Sequence, residues 1–225
     1  MVSAIIAAGG KGTRMGAGIN KVYLPLCGKE ILARTLSVFE ACSCVDEVIV
    51  ITGGSELERL QELSKKYKFR KISAVVIGGA TRAESVFHGL CRASGDFILI
   101  HDAARALITE DEILRVLTDC KQYGAAALGV KCKDTLKRAN QNGFIAETLD
   151  RENTYQIQTP QAFSRDIIQR AYDASQDFAA TDDCALVEKL GIPIKITEGS
   201  YENIKLTTPS DLAVGEEILK RRNAL

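Results

Sequence analysis

Five short apolar runs, rich in Val, Ile and Ala, constrain the fold of this chain more than any other feature: Val2–Ala7, Glu47–Thr52, Ile72–Ile77, Asp96–His101 and Ala125–Val130. Stretches with helical periodicity separate or follow them, at Ile31–Cys42, Ser55–Tyr67, Arg82–Ala93, Glu110–Tyr123, Arg165–Ser175 and Asp182–Leu190. Strands that are apolar throughout, rather than at alternate positions, are buried on both faces, and interleaved helices supply the cover. The pattern predicts an α/β fold, a doubly wound and mainly parallel sheet. With 225 residues and 46% hydrophobic composition, the chain can bury one full core, so we expect a single domain over residues 1–225. Sheets of this kind bind ligands beyond the carboxyl ends of their strands, which makes the residues just after each run the functional suspects.

Residues 134–159 break the pattern. "DTLKRANQNGFIAETLDR" holds two short alternating runs around a turn at Asn140–Gly143, the signature of a β-hairpin. A hairpin cannot bury two faces alone. We expect a protruding β-arm that packs on a partner subunit, with a lid over the site as the competing reading.

The first strand runs into "AAGGKGTRMG", a turn with four glycines, Lys11 and Arg14, and Lys21 lies just beyond. Glycine lets backbone N–H groups approach an anion closely. The dinucleotide fingerprint fails because Met15 stands where glycine is required, and the P-loop fails because Lys11 is followed by Gly12. Three nearby cations suit a triphosphate; an ordinary strand-to-helix turn with solvated basic residues is the alternative.

The other strand ends are also polar: "GGATRAES" after the third run, "HDAAR" after the fourth and "KCKDTLKR" after the fifth. Asp102 stands where a carboxylate can present a magnesium ion, which takes one or two carboxylates plus substrate phosphates; it can equally cap a helix or pair with Arg105. His101 and Asp102 face opposite ways along a strand, so His101 reads as a structural residue and not as half of a dyad. Ser85 and the histidines have no base and orienter at motif spacing. Catalysis would then rest on positioning and charge, with an ionised substrate phosphate attacking in line at phosphorus without a general base.

Lys+Arg and Asp+Glu both number 29, so no global field draws the chain to nucleic acid or a membrane surface. The sequence enters its first strand almost at once and holds no run of 18 apolar residues, from which we expect a cytoplasmic protein with neither membrane nor nucleic acid as partner. Seven cysteines without a C-x-x-C pair read as reduced thiols, mostly in the core.

Taken in order, "AAGGKGTRM", Lys21, "GGATRAESV", "HDAAR", "DTLKR", "ETLDRENTYQIQTPQAF", "TDDCALVEKLG" and "NIKLTTPSDL" resemble the signatures of the 2-C-methyl-D-erythritol 4-phosphate cytidylyltransferase family, over about residues 3–213. The resemblance implies a Rossmann-like nucleotidyltransferase fold, CTP and methylerythritol phosphate as substrates, magnesium as cofactor, and a homodimer formed through the arm. By motif it implies that Ala7, Ala8 and Gly9 line the nucleotide and that Arg14 and Lys21 steady the triphosphate and the transition state. It implies further that Gly79, Arg82 and Ser85 frame the cytosine, that Asp102 holds the metal, and that Ala103 and Arg105 lie beside it. Thr181 and Lys205 would meet the substrate phosphate or polyol, and Thr135 and Arg151 would reach it from the partner's arm. Two departures stand out: Ala106 replaces the usual proline of the "HDAAR" motif, and Glu202 replaces an aspartate, which leaves open whether Glu202 reaches a metal. Ribitol 5-phosphate cytidylyltransferases, sugar-1-phosphate nucleotidylyltransferases and a CTP-binding module without turnover are the alternatives.

Overall fold

The computed structural model describes residues 1–9, 20–175 and 180–222. Its strands are β1 (Val2–Ala7), β2 (Pro25–Leu26), β3 (Lys29–Glu30), β4 (Glu47–Thr52), β5 (Ile72–Ile77), β6 (Phe97–Asp102), β7 (Ala125–Lys131), β8 (Lys137–Ala139), β9 (Ile145–Thr148), β10 (Tyr155–Ser164) and β11 (Lys195–Glu198). Its helices are α1 (Ile31–Ala41), α2 (Leu57–Tyr67), α3 (Arg82–Leu90), α4 (Glu110–Tyr123), α5 (Arg165–Asp173), α6 (Cys184–Glu188) and α7 (Pro209–Arg221).

Seven strands form the main sheet in the order β11-β7-β10-β6-β1-β4-β5. Every neighbouring pair is parallel except those made by β10, which runs antiparallel to both β6 and β7. The central strands β1, β4 and β6 are almost wholly buried, as their unbroken apolar runs require. Leu36 and Phe39 of α1, Leu60 of α2 and Val116 of α4 share a core on one face. Val86 of α3, Ile168 and Tyr172 of α5 and Val187 of α6 share the core on the other. A smaller cluster seats Ile218 and Leu219 of α7 against Leu26, Leu107 and Leu206.

Helix starts follow local chemistry. The Thr81 hydroxyl accepts from the Glu84 N–H at 3.0 Å, and Thr109 with Glu112 forms a capping box at the head of α4. That helix ends at Gly124, whose φ of 86° lies in the left-handed region that glycine enters without steric cost. All seven cysteines are free, and Cys42, Cys120, Cys132 and Cys184 are buried. Among the described residues no helix is long and apolar enough to cross a membrane.

The sequence reading placed no strand at β10, which sits between the two halves of the sheet. Pro160 lies inside it, and proline normally argues against a central strand because it donates no ladder bond. The structure accommodates it where the pairing with β7 shifts register, between Ile157 and Gln161. β8 and β9 pair antiparallel with each other and stand apart from the main sheet, with every residue exposed. The chain rejoins the sheet at Tyr155, opposite Lys131.

Candidate active site

The carboxyl ends of β1, β4 and β5 open into a cavity of about 750 Å³, lined in part by Ala7, Gly9, Gly53, Gly79, Arg82 and Ser85. One wall is the turn from β5 into α3. Ser85 Oγ accepts from the Gly79 N–H at 2.9 Å and donates to the Thr81 carbonyl at 2.7 Å, while Glu84 accepts from the Ala80 N–H at 2.6 Å. A Cβ on Gly78 would stand 2.9 Å from Ser85 Oγ, so the turn folds this tightly on its own helix because glycine is there. Ser85 therefore shapes the wall in addition to facing the cavity.

The opposite wall is held by two residues that the sequence reading gave no role. Asn20 Nδ2 donates to the Ala8 carbonyl at 2.8 Å and to Glu56 Oε2 at 3.1 Å, and the same carboxylate oxygen accepts from Thr52 Oγ1 and the Gly53 N–H, each at 3.2 Å. This clasp joins the exit of β1 to the point where the chain returns, and Lys21 follows it at the start of a 3-10 turn, Lys21–Tyr23. Arg14 and the rest of the expected phosphate loop over residues 10–19 lie outside the described residues. Ala8 is buried, and its N–H donates to the Ile51 carbonyl at 2.9 Å.

Beside the cavity, Ala7 of β1 is in register with Asp102 at the end of β6. Asp102 Oδ2 is 2.7 Å from Lys205 Nζ, and Oδ1 is 3.4 Å from Arg82 Nε. Burial acts to raise the Asp102 pKa, but the Arg82 and Lys205 charges outweigh it and hold the carboxyl well below the usual carboxylate range. Lys205 reaches this point from an extended segment pinned by the Leu206 N–H, which donates to the Ala104 carbonyl at 2.9 Å. Leu206 is buried while the Lys205 side chain is 43% exposed, so the neighbouring apolar residues anchor the segment and present the lysine.

His101 points the other way into the core, as alternation requires. The Arg105 carbonyl can only accept, so the 3.2 Å contact puts the ring proton on Nε2; Nδ1 then accepts from Thr159 Oγ1 at 3.0 Å. Thr159 Oγ1 in turn accepts from the Asp102 N–H at 3.1 Å. Burial pushes the His101 pKa down to about 3, so the ring is neutral and structural.

Ala103 is buried, with its N–H on the Ala7 carbonyl and its carbonyl on Thr35 Oγ1, and so ties β6 to β1 and α1. Arg105 donates to the Asn203 carbonyl at 2.7 Å, while its buried Nε and Asn203 Oδ1 have no partner among the described residues. Glu202 is turned away: its carboxylate pairs with Arg221 and, at 2.8 Å, with Arg222. Thr181 is exposed just before Asp182 and Asp183. Thr135 and Arg151 flank the β8–β9 hairpin, where Arg151 lies 3.7 Å from Glu152, and the single chain does not join them to the Asp102 cluster by any hydrogen bond or ion pair among the described residues.

Among the described residues no group of three or more His, Cys, Asp or Glu is placed to hold a metal. One ionised carboxylate beside a cavity of about 750 Å³ nevertheless suits magnesium, which keeps its waters and takes further oxygens from substrate phosphates.

The family model described as 2-C-methyl-D-erythritol 4-phosphate cytidylyltransferase, IspD, matches residues 2–221. Relatives carrying that name include one from Alkaliphilus oremlandii, 46% identical over 98% of this chain and 95% of its own. Another, from Desulforamulus reducens, is 43% identical over 99% of this chain and 97% of its own. The crystal structure of 4-diphosphocytidyl-2C-methyl-D-erythritol synthase from Anaerococcus prevotii superposes with a TM-score of 0.85 at 29% identity, covering 98% of this chain and 99% of that one. The enzyme from Thermus thermophilus gives 0.78 at 28% identity, covering 97% and 98%. With its motifs, its sheet and nearly its whole length matched in this way, the chain belongs to the 2-C-methyl-D-erythritol 4-phosphate cytidylyltransferase family.

Proposed function

We propose that this chain condenses CTP with 2-C-methyl-D-erythritol 4-phosphate, forming the cytidyl diphosphate product and releasing pyrophosphate. The observation that carries the reading is the Lys205–Asp102–Arg82 cluster at the edge of the glycine-lined cavity. A nucleotide in the cavity is contacted by the chain at Ala7 and Gly9, while Ala8, buried with its N–H and carbonyl already bonded within the protein, fixes the turn between them. The base is framed by Gly79, Arg82 and Ser85, where a polar edge can select cytosine through hydrogen bonds other bases do not satisfy.

Arg14 and Lys21 bind the triphosphate and the charge that develops in the transition state. Lys205 exchanges Asp102 for the incoming substrate phosphate and aims one of its oxygens at the α-phosphorus, with Arg105 and Thr181 at the acceptor side. A new P–O bond forms as the bond to the pyrophosphate oxygen breaks, and the electron pair leaves on pyrophosphate. The nucleophile is already an anion, so no side chain removes a proton. Asp102 would hold magnesium together with substrate phosphates, and the ion would supply neutralising charge.

The β8–β9 hairpin serves as the dimer arm in this reading. Phe144 and Ile145 are 70% and 67% exposed on it, an apolar surface that a second subunit would cover, bringing Thr135 and Arg151 to the partner's site. In this reading the protein acts in the cytoplasm. The test is pyrophosphate release with magnesium, offering CTP, UTP or ATP against methylerythritol 4-phosphate, ribitol 5-phosphate or glucose 1-phosphate. Turnover confined to CTP and methylerythritol phosphate is expected; preference for another acceptor, or no turnover with any pair, overturns the reading.

A further inference from the structure

Arg82 belongs to two places at once. Its side chain lines the nucleotide cavity, and its guanidinium is splayed between two acids, with Nη1 2.8 Å from Asp183 Oδ2 and Nε 3.4 Å from Asp102 Oδ1. Asp183 is fully buried, and both of its carboxylate oxygens are used, because Oδ1 accepts from the Tyr172 hydroxyl at 2.6 Å. Its backbone is fixed as well: the N–H groups of Asp183 and Cys184 donate to Gln161 Oε1 of β10 at 3.0 and 3.1 Å. Tyr172 lies in α5, and its ring packs 5.8 Å from Phe87 of α3, the helix that carries Arg82.

A buried carboxylate costs free energy unless it is paired and hydrogen-bonded, and here both conditions are met by one arginine and one phenol. The consequence for Arg82 is restraint. An arginine beside a lone Asp102 would close on it as a two-pronged fork. Held at Nη1 by Asp183, the guanidinium keeps a long contact to Asp102 and stays on the cavity wall.

We propose that Asp183 and Tyr172 are positioning residues, which hold the Arg82 guanidinium at the mouth of the nucleotide cavity before any nucleotide arrives. The proposal rests on the cytidylyltransferase reading for the identity of the ligand and on the geometry above for everything else. Neither residue touches the cavity by itself; both act through Arg82.

The test is a double-mutant cycle on CTP affinity, measured by calorimetry with Tyr172→Phe, Arg82→Ala and their combination. Tyr172→Phe keeps the ring packing and removes one hydrogen bond, so it weakens CTP binding roughly 3–10-fold in the native background. It changes affinity by less than about 2-fold when Arg82 is already alanine. Equal losses in the two backgrounds overturn the proposal, since a general structural defect would be additive. A second readout needs no CTP: nitrogen NMR of the Arg82 guanidinium, whose hydrogen exchange speeds up in Tyr172→Phe and more so in Asp183→Asn. Unchanged exchange in both variants overturns the proposal. A native chain that binds no CTP sinks the cytidylyltransferase reading, and the exchange rates then decide the positioning role by themselves.

Discussion

Lys205 and Asp102, from distant parts of the chain, form an ion pair of 2.7 Å at the carboxyl edge of the sheet. The lysine stabilises the carboxylate in the resting protein, and its segment is anchored by Leu206 and not by the pair itself, so the proposed reaction has it leave Asp102 for a phosphate. Lys205→Met should lower kcat by ~10²-fold or more, the scale seen when one charge-stabilising donor is removed from an active site. Loss of the cation also raises the Asp102 pKa, so the acid limb of the residual pH–rate profile should move to higher pH. An unmoved limb would separate Lys205 from Asp102 in function.

Lys21 follows directly on Asn20 of the Asn20–Glu56 clasp, at the start of the 3-10 turn. Because its charge is expected to matter most when negative charge builds on the transferred phosphorus, Lys21→Ala should lower kcat by ~10²-fold with CTP affinity kept within roughly 3-fold. Steady-state kinetics together with a direct CTP titration decide this; a change in affinity alone would make Lys21 a ground-state binder.

A site shared between subunits makes its own prediction. Arg151→Ala and Lys205→Ala, each inactive alone, should regain part of the native rate when mixed under conditions of subunit exchange, since one of the two sites in a mixed dimer then carries neither lesion. Failure to regain activity, with exchange shown by labelled subunits, would count against the arm as a contributor to the partner's site.

At the other end of the sheet, Glu47 accepts from the hydroxyls of Ser3, Ser73 and Ser94 and from the Ser94 N–H, all within 2.8 Å. Burial acts to raise its pKa, but these donors prevail and bring it down to about 2. A folded pKa below the unfolded one stabilises the fold above the unfolded value, near ~4.3, and that stability is lost as pH falls toward 2. Glu47→Gln should therefore cost about 1–3 kcal/mol at neutral pH, with the deficit shrinking in acid. Denaturant midpoints at pH 7 and pH 3 measure both.

His101 should show no titration between pH 5 and 8, since burial pushes its pKa down to about 3. The unfolded chain protonates this ring near pH ~6.5, so its burial makes the fold less stable as pH falls from there toward 3. Imidazole proton shifts that stay flat over the neutral range are the expected result, and any activity limb near pH 6.5 must come from elsewhere.

Much of this was legible in the letters, for reasons that differ by element. β1, β4 and β5 have the bounds their apolar runs predict, and α4 runs from Glu110 to Tyr123 because a capping threonine and a terminal glycine bracket it. α7 carried a readable start, Thr208–Pro209 with Asp211, that went unused. β10 was hidden by Pro160 and its glutamines, which look like loop residues until neighbouring strands pair with them. Asp102, Lys205 and Arg82 were singled out by motif, and the structure brings all three together. Asp183 was not, because its meaning depends on an arginine 101 residues away. Glu56 carries no motif signal and becomes the centre of the clasp only once β1 and β4 lie side by side.

The place of β10 ties the ripening of the site to the completion of the chain. Until residues 159–164 are synthesised, β6 has an open edge along Phe97–Ile100 and His101 has no Thr159 to orient it. At ribosomal rates of about 5–20 residues per second, that interval after β6 lasts on the order of seconds. A nascent or truncated chain ending before β10 would carry most of the cavity's residues yet lack the lock on its acidic centre. Such a fragment would present an unpaired strand to its neighbours instead of a working site.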